Sequence, residues 1–215
     1  MKIQTLKINE IFYSLQGESS RIGIPTIFIR LTGCPMRCNY CDTAYAFHEG
    51  KNYSFDEIIN EIQQYKTNFI TVTGGEPLAQ KSCKDFLAKL TNLEYEVSLE
   101  TGGAISIDQV HEKVKIILDI KTPGSGEVEN NFWENLTLIK DQDEIKIVIT
   151  NHDDYKWAKK LIKNKNLYEK YDILFSPSYS DLDPNKLAEW ILEDNLSVRM
   201  QVQLHKIIWG EKKGV

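Results

Sequence analysis

Cysteine is scarce in this chain, with four in 215 residues against 26 basic and 31 acidic side chains. So few thiols exclude the disulfide framework of a small secreted domain and fit a reducing compartment instead. No apolar run approaches the roughly 20 residues that a membrane-spanning helix needs. The start, MKIQTLKINEIFYS, shows neither the apolar core nor the cleavage pattern of a secretory signal. There is no basic stripe of the kind that lines a nucleic-acid groove. The net charge is −5, and Lys159, Lys160, Lys163 and Lys165 read as the solvated side of a helix or its end. No internal repeat and no long linker divides the chain. These absences leave a cytoplasmic protein, expected to bind neither nucleic acid nor membrane, folded as one domain over residues 1–215. With 41% hydrophobic residues it has ample material for a single core.

Three of the four cysteines crowd into GCPMRCNYCDT, at Cys34, Cys38 and Cys41. A C-x3-C-x2-C loop can hold three corners of a [4Fe–4S] cluster, for which four cysteines are the usual complement. With no fourth cysteine in the loop, one iron stays open to an outside ligand. A structural zinc site with His48 as fourth ligand is the alternative, and a chance group of buried thiols is another. Zinc loops usually pair with a second Cys or His knuckle, and none follows here. Cys83 stands alone on a predicted helix and reads as structural.

The cysteines begin where a strand ends. Thr26-Ile27-Phe28-Ile29-Arg30-Leu31 is a β-rich run that stops at Thr32-Gly33, just before Cys34. A second run, Phe69-Ile70-Thr71-Val72-Thr73, leads into Gly74-Gly75-Glu76-Pro77. Two glycines let a backbone approach a ligand closely, and the proline can open a helix, expected over Ala79–Leu90. Strands are expected over 26–32, 69–73, 95–100, 115–120, 144–150, 171–175 and 198–204. Helices are expected near 54–65, 79–91, 105–112, 153–164 and 184–194, the first capped by Ser54 with Glu57 and the last by Asp183 before Pro184. The turn-rich segment 122–137 reads as an irregular insertion. Alternating strands and helices argue for an α/β fold with a parallel sheet. There are too few units to close an eight-stranded barrel, so an open, partial (β/α) barrel is expected, with the cysteine loop after its first core strand. Its open edges suggest a homodimer. In barrels of this kind the strand C-termini carry the reactive groups. Here they bring Glu100-Thr101-Gly102-Gly103, Asp119-Ile120-Lys121-Thr122, Ser176-Pro177-Ser178-Tyr179 and His205 toward one mouth, with Glu144 and Lys146 alternating onto one face of the fifth strand.

The cysteine spacing followed by GGEP after a second strand resembles the radical S-adenosylmethionine superfamily. Two further segments narrow this. Glu10-Ile11-Phe12-Tyr13-Ser14-Leu15-Gln16-Gly17-Glu18-Ser19 near the start, and Met200-Gln201-Val202-Gln203-Leu204-His205 with Trp209-Gly210-Glu211-Lys212-Lys213-Gly214-Val215 near the end, resemble the 7-carboxy-7-deazaguanine synthase family of the 7-deazapurine (queuosine) pathway. The resemblance spans essentially the whole chain.

The resemblance implies a lyase with a [4Fe–4S] cluster, S-adenosyl-L-methionine and Mg2+ as cofactors. Its substrate would be 6-carboxy-5,6,7,8-tetrahydropterin. A 5′-deoxyadenosyl radical would take hydrogen from C6, the ring would contract with loss of ammonia, and the hydrogen would be returned. Leu15, Gln16, Gly17, Glu18, Arg30, Thr101, His205 and the terminal carboxylate of Val215 would contact the pterin. Gln16 and Glu18 suit its amino-pyrimidine edge, and Arg30 suits a carboxylate. Gly74, Gly75 and Glu76 would bind the methionine amino group, with Gly103, Asp119, Ile120, Lys121, Ser176, Pro177, Ser178 and Tyr179 lining the rest of the cofactor pocket. Thr43 would be the protein ligand to Mg2+. An electron donor such as flavodoxin or ferredoxin is implied. Two segments depart from the family pattern: many members have Ser-Pro-Lys at Asp119-Ile120-Lys121, and Gln-Pro at Ser176-Pro177. A glycyl-radical activating enzyme, also small and with a similar cysteine loop, is the alternative within the superfamily. A zinc-binding module without catalysis is the alternative outside it.

Overall fold

The computed structural model describes residues 3–215. Nine strands join one sheet in the order β3-β1-β2-β4-β5-β6-β7-β8-β9. They are β1 (Thr5–Leu15), β2 (Pro25–Leu31), β3 (Lys51–Ser54), β4 (Phe69–Gly74), β5 (Glu96–Thr101), β6 (Lys115–Ile120), β7 (Glu144–Ile149), β8 (Asp172–Pro177) and β9 (Arg199–Met200). From β2 to β9 every neighbour runs parallel. β1 is antiparallel to both β2 and β3. The expected open, partial barrel is what forms.

The parallel strands are short runs in which β-branched and apolar residues alternate with polar ones, as strands buried on one face should be. Side chains alternate across such a strand, and here the two sets differ in chemistry. One set, including Ile29, Ile70, Val72, Leu99, Leu118, Ile145, Ile147 and Phe175, joins a buried core with residues of the helices. Those helices are α1 (Phe55–Ile62), α2 (Cys83–Asn92), α3 (His152–Asn164) and α4 (Pro184–Glu193). Burying each large apolar side chain contributes about 1.5–3 kcal/mol. The interleaved positions on the other face carry Arg30, Thr71, Thr73, Ser98, Glu100, Asp119 and Lys146. The inside of the partial barrel is therefore mixed, its polar groups set among Phe28, Ile117 and Val148, which also line it.

The helix ends follow their local signals. Ser54 and Glu57 form a reciprocal capping box at α1, and Asp183 accepts from Asn185 N with Pro184 at the first position of α4. Cys83 opens α2 and is fully buried. No helix among the described residues is long and apolar enough to cross a membrane.

Several expectations are corrected. No helix forms over 105–112. Gln109 takes φ of 62°, which interrupts a right-handed helix. The Asn135 side chain binds the backbone there instead, accepting from Ile107 N at 3.0 Å and donating to Gly103 O at 3.3 Å and Ile105 O at 3.0 Å. After Pro77 there is one 3-10 turn, Pro77–Ala79, and α2 begins only at Cys83. The last expected strand shrinks to Arg199–Met200, and the chain turns instead into α5 (Leu204–Trp209). β1 and β3 were not anticipated. Both edge strands are short, four residues in β3 and two in β9, so the sheet edges themselves give little reason for dimerisation. Segment 122–137 is irregular as expected, with 3-10 turns at Pro123–Ser125, Val128–Asn130 and Trp133–Thr137.

Asn135 is 1% exposed and satisfies three backbone groups. Asn135→Ala leaves these groups unpaired in the interior, at about 1–3 kcal/mol for a buried orphan. Urea unfolding should show a lower midpoint by that order with an unchanged slope.

Candidate active site

A cavity of about 560 Å³ opens at the C-terminal ends of the parallel strands. It gathers Leu15, Gln16, Gly17 and Glu18 from the turn after β1, Arg30 from β2, and Cys34, Cys38, Cys41 and Thr43 from the loop after β2. Gly74 and Gly75, Thr101, Asp119 and Lys121, Ser176 to Tyr179, His205 and Val215 complete the set of expected residues. Glu76, Gly103 and Ile120 do not line it. Ile120 belongs to the core on the helix side of β6. Gly103 is spent on Thr101, Phe132 and Asn135. Glu144 also lies away from the cavity, at the start of β7, where it pairs with Lys115 at 2.7 Å and takes Ser20 N at 3.0 Å. A larger hollow of about 660 Å³ sits between Arg21, Glu96, Lys113, Lys115 and Asp172. No cysteine or glycine motif reaches it.

The cysteine loop is pinned from several sides. Gly33 adopts φ of 98° and donates to Ala46 O at 2.9 Å. The Arg37 guanidinium lies over the Phe47 ring at 4.3 Å and donates to Cys34 O and Met36 O. Asn39 binds Ser125 O through its backbone and Gly124 O through its side chain. A Cβ on Gly75 would stand 2.2 Å from Gly33 O and 2.9 Å from Cys34 Cβ. Glycine is thus required for the turn after β4 to reach the loop. All three thiols are free and half-buried. Burial pushes each up, Cys38 to about 11, so binding iron would release their protons.

Two features test whether a cluster with a polar cofactor fits here. Among the described residues no three His, Cys, Asp or Glu side chains gather around a single metal ion, and His48 does not line the cavity. Three thiols on one loop at a cavity mouth offer three ligands and leave a position open, as a cluster that takes an outside ligand requires. Beside Cys38, Asp119 Oδ1 and Tyr40 Oη are buried and lack partners, and such orphans in a native site call for a ligand. The other Asp119 oxygen takes Lys121 at 2.9 Å.

Glu76 stands behind the cavity wall and not on it. It is fully buried, and its carboxylate accepts from Leu78 N at 3.0 Å, Gly102 N at 2.8 Å and Thr101 Oγ1 at 2.9 Å. Burial pushes its carboxyl up against the pull of these donors. Glu76 shapes the mouth from behind, and it commits the Thr101 hydroxyl.

On the opposite wall Gln16 donates to Thr71 Oγ1 at 3.0 Å and Glu100 Oε1 at 3.3 Å, and accepts from Glu18 N. One Glu18 oxygen pairs with Lys146 Nζ, and Oε1 is buried without a partner. Burial alone would raise the Glu18 carboxyl, but Lys146 pulls it below its ordinary value. Glu100 is pushed the other way by burial and by Glu18. A Cβ on Gly17 would lie 2.2 Å from His205 Nδ1, so only glycine lets α5 close on this turn. Gln201 fastens the same approach, accepting from Ser19 N and donating to Ser19 O.

Arg30 faces Glu10 directly across the β1–β2 ladder. Its Nε donates to Glu10 Oε1 at 2.7 Å, and Tyr45 Oη donates to the same oxygen at 2.8 Å. The rings of Phe12 and Tyr45 flank the guanidinium at 5.6 and 5.9 Å. Lys213 lies over Tyr45 at 4.2 Å, bringing the segment Gly210–Val215 into the cavity wall.

The radical SAM superfamily model matches residues 28–124. The chain is 45% identical to 7-carboxy-7-deazaguanine synthase of Chlorobaculum tepidum over 98% of its own length and 97% of the relative's. The corresponding enzyme of Koribacter versatilis is 41% identical, with 98% and 100% covered. The chain belongs to the 7-carboxy-7-deazaguanine synthase family. QueE from Escherichia coli shares the fold, with a TM-score of 0.76 at 22% identity over 94% of this chain and 95% of that one. SuiB of Streptococcus suis, solved with S-adenosylmethionine, has a TM-score of 0.55 at 12% identity over 82% of this chain and 47% of its own.

Membership in the 7-carboxy-7-deazaguanine synthase family implies the cluster and S-adenosylmethionine, and sets aside the zinc module and the activating enzyme. Glu10, Tyr40 and Tyr45 line or support this family site without having been assigned to it from sequence, whereas Glu100 and Lys146 were expected near the mouth without a role. Glu10 lies opposite Arg30 in strand register, and Tyr40 sits between two of the cysteines. The signal for Tyr45 is tertiary, its hydroxyl meeting Glu10 from the turn after the cysteines.

If the three loop thiols are the protein ligands, Cys38→Ala should lose bound iron after anaerobic reconstitution. Cys83→Ala, buried in α2, should keep it. Iron and sulfide analysis reads both. An iron-free Cys83 variant that is otherwise folded would overturn the assignment.

Proposed function

We propose that this chain converts 6-carboxy-5,6,7,8-tetrahydropterin to 7-carboxy-7-deazaguanine with loss of ammonia. Similarity to synthases of that name over nearly the full length carries the reading. The cavity supports it by bringing the cysteine loop, the Gly74-Gly75 turn and the Gln16-Gly17-Glu18 turn to one mouth.

When bound, the cluster and S-adenosylmethionine supply the one-electron cleavage that starts radical chemistry at C6 of the pterin. The chain's residues bind, orient and enclose. Cys34, Cys38 and Cys41 would hold the cluster. Gly74, Gly75, Asp119, Lys121 and the stretch Ser176–Tyr179 would flank the cofactor. The Ser176 and Ser178 hydroxyls are already given to Gln201 O and Asp181, so this stretch would act through its backbone. Gln16 and Glu18 would read the amino-pyrimidine edge, the free Glu18 oxygen accepting an N–H. Leu15, Gly17, Thr101 and His205 would close around the ring. Arg30 would meet the carboxylate through its Nη edge, its Nε being held by Glu10.

Mg2+ would sit at Thr43, whose hydroxyl now donates to Asp42 Oδ1 at 2.7 Å. One hydroxyl leaves most of the shell to water and substrate oxygens, as this ion prefers. A donor such as flavodoxin or ferredoxin would bring the electron. A second copy of the chain would find apolar area on α5, where Ile207 and Ile208 are exposed.

The deciding experiment is an anaerobic assay of the reconstituted protein with S-adenosylmethionine and the carboxypterin, read by product mass. Absence of the deazaguanine product with an intact cluster would sink the reading. In the same assay Thr43→Ala should blunt the response to added Mg2+ while cluster content stays normal. An unchanged magnesium titration would remove Thr43 from the role.

The tail gives a separate expectation. Gly214 and Val215 line the cavity, and Gly210 and Gly214 take positive φ. Loss of a charge-assisted contact there costs about 1.5–3 kcal/mol, or about ten- to a hundredfold in affinity. Removing Gly214-Val215 should weaken pterin capture by that factor and spare cluster assembly.

A further inference from the structure

We propose that Lys146 is a positioning residue for the pterin: it grips one oxygen of Glu18 and so leaves the other, Oε1, for an N–H of the substrate. The proposal rests on the reading that Glu18 takes the amino-pyrimidine edge.

Lys146 stands in the middle of β7 on the inner face, beside Asp119 in the ladder with β6, and it lines the cavity. Three carboxylates surround it: Glu18, Asp119 and Glu100. They are not equivalent. Asp119 has its own cation in Lys121 at 2.9 Å. Both oxygens of Glu100 are occupied, one by Gln16 and one by Thr73 Oγ1 at 2.8 Å. Glu18 takes Lys146 on Oε2 and has nothing on Oε1, although that atom is buried. A buried acceptor with one side filled and one side vacant is aimed by whatever fills it. The two side chains are only 13% and 11% exposed, so neither is free to swing.

Lys146 also fixes the charge of Glu18. The groups facing Glu18 are Lys146 on β7, Glu100 on β5, His205 on α5 and Asp42 on the cysteine loop. Burial and the two carboxylates favour a protonated Glu18. Lys146 is the main opposing influence and holds it ionised, with a smaller pull from His205. A protonated carboxyl carries a donor of its own and loses acceptor capacity toward the pterin's N–H groups. Without Lys146, Glu18 would take up its proton at a higher pH than in the wild type. Pterin affinity would then fall as pH drops through that point.

Equilibrium binding of the carboxypterin to the reconstituted protein, measured under anaerobic conditions across a pH series, tests this. Relative to the wild type measured in parallel, Lys146→Met should lose affinity on the acid side by about tenfold per pH unit and recover toward alkaline pH. Lys146→Arg should restore the wild-type profile, which a purely structural role for the aliphatic stem would not require. Should the methionine variant fail to fold, Lys146→Gln, which can hydrogen-bond Glu18 without charge, gives the same readout. A variant profile parallel to the wild type overturns the role of Lys146. Glu18→Gln separates the two levels of the argument. Wild-type affinity in that variant overturns the reading of Glu18 itself, whereas a loss there together with a parallel Lys146 profile overturns the positioning role alone.

Discussion

Glu76 lies fully buried between the turn after β4 and the end of β5, and its oxygens take the Leu78 and Gly102 amides and the Thr101 hydroxyl. Its own amide donates to Gly33 O at 2.8 Å, while Gly75 N donates to Leu31 O at 3.2 Å. Three strand ends, those of β2, β4 and β5, are thereby tied at one point. A carboxylate buried without partners is costly, whereas one with several donors is sustained. The residues that face the cavity inherit their positions from this hidden knot. The cysteine loop starts at Gly33, the glycine turn is held against it, and Thr101 has its rotamer fixed.

The inner face of the sheet extends the same logic to cations. Arg30 is held by Glu10, Lys121 by Asp119 and Lys146 by Glu18. Each cation thus comes with an anion on an adjacent strand, on an adjoining turn or two residues away on its own chain. Such pairs add little to stability once desolvation is counted, but they fix where side chains point. In each pair part of the polar group is left over: the Nη edge of Arg30, one oxygen of Asp119 and one of Glu18. These remainders are what the cavity offers.

The strands and helices that depend on local pattern were legible in the sequence. Phe69–Gly74 and Glu144–Ile149 are compact β-branched runs, and the caps at Ser54 and Asp183 carried the expected chemistry. Positions 105–112 misled because Asn135, some thirty residues on, supplies hydrogen bonds that a helix would have made internally. β1 was read for its motif and not for its alternation, although TLKINEIFYSL places Leu6 and Ile8 inward with Lys7 between them. At the site, the cysteines and the glycine pair were readable because their chemistry is written in spacing. Glu76 and Ile120 lie off the cavity wall for the opposite reason. Adjacency to a motif says nothing about which face a side chain takes, and Ile120 turns to the core on a strand whose neighbours Asp119 and Lys121 turn to the cavity.

The clasp between Ser19 and Gln201 joins residues 182 apart in the chain, and His205 closes over Gly17 across a similar span. During synthesis the cysteine loop therefore leaves the ribosome long before the wall opposite it exists. Contacts this distant form late in folding, because loop closure must be paid for first. A nascent chain would carry exposed thiols next to an unfinished cavity, with β1 lacking the segment that later covers its turn. The window for metal loading is then a stage of biogenesis as well as a property of the finished fold, and oxidation of the thiols in that interval would spoil the site before it had closed.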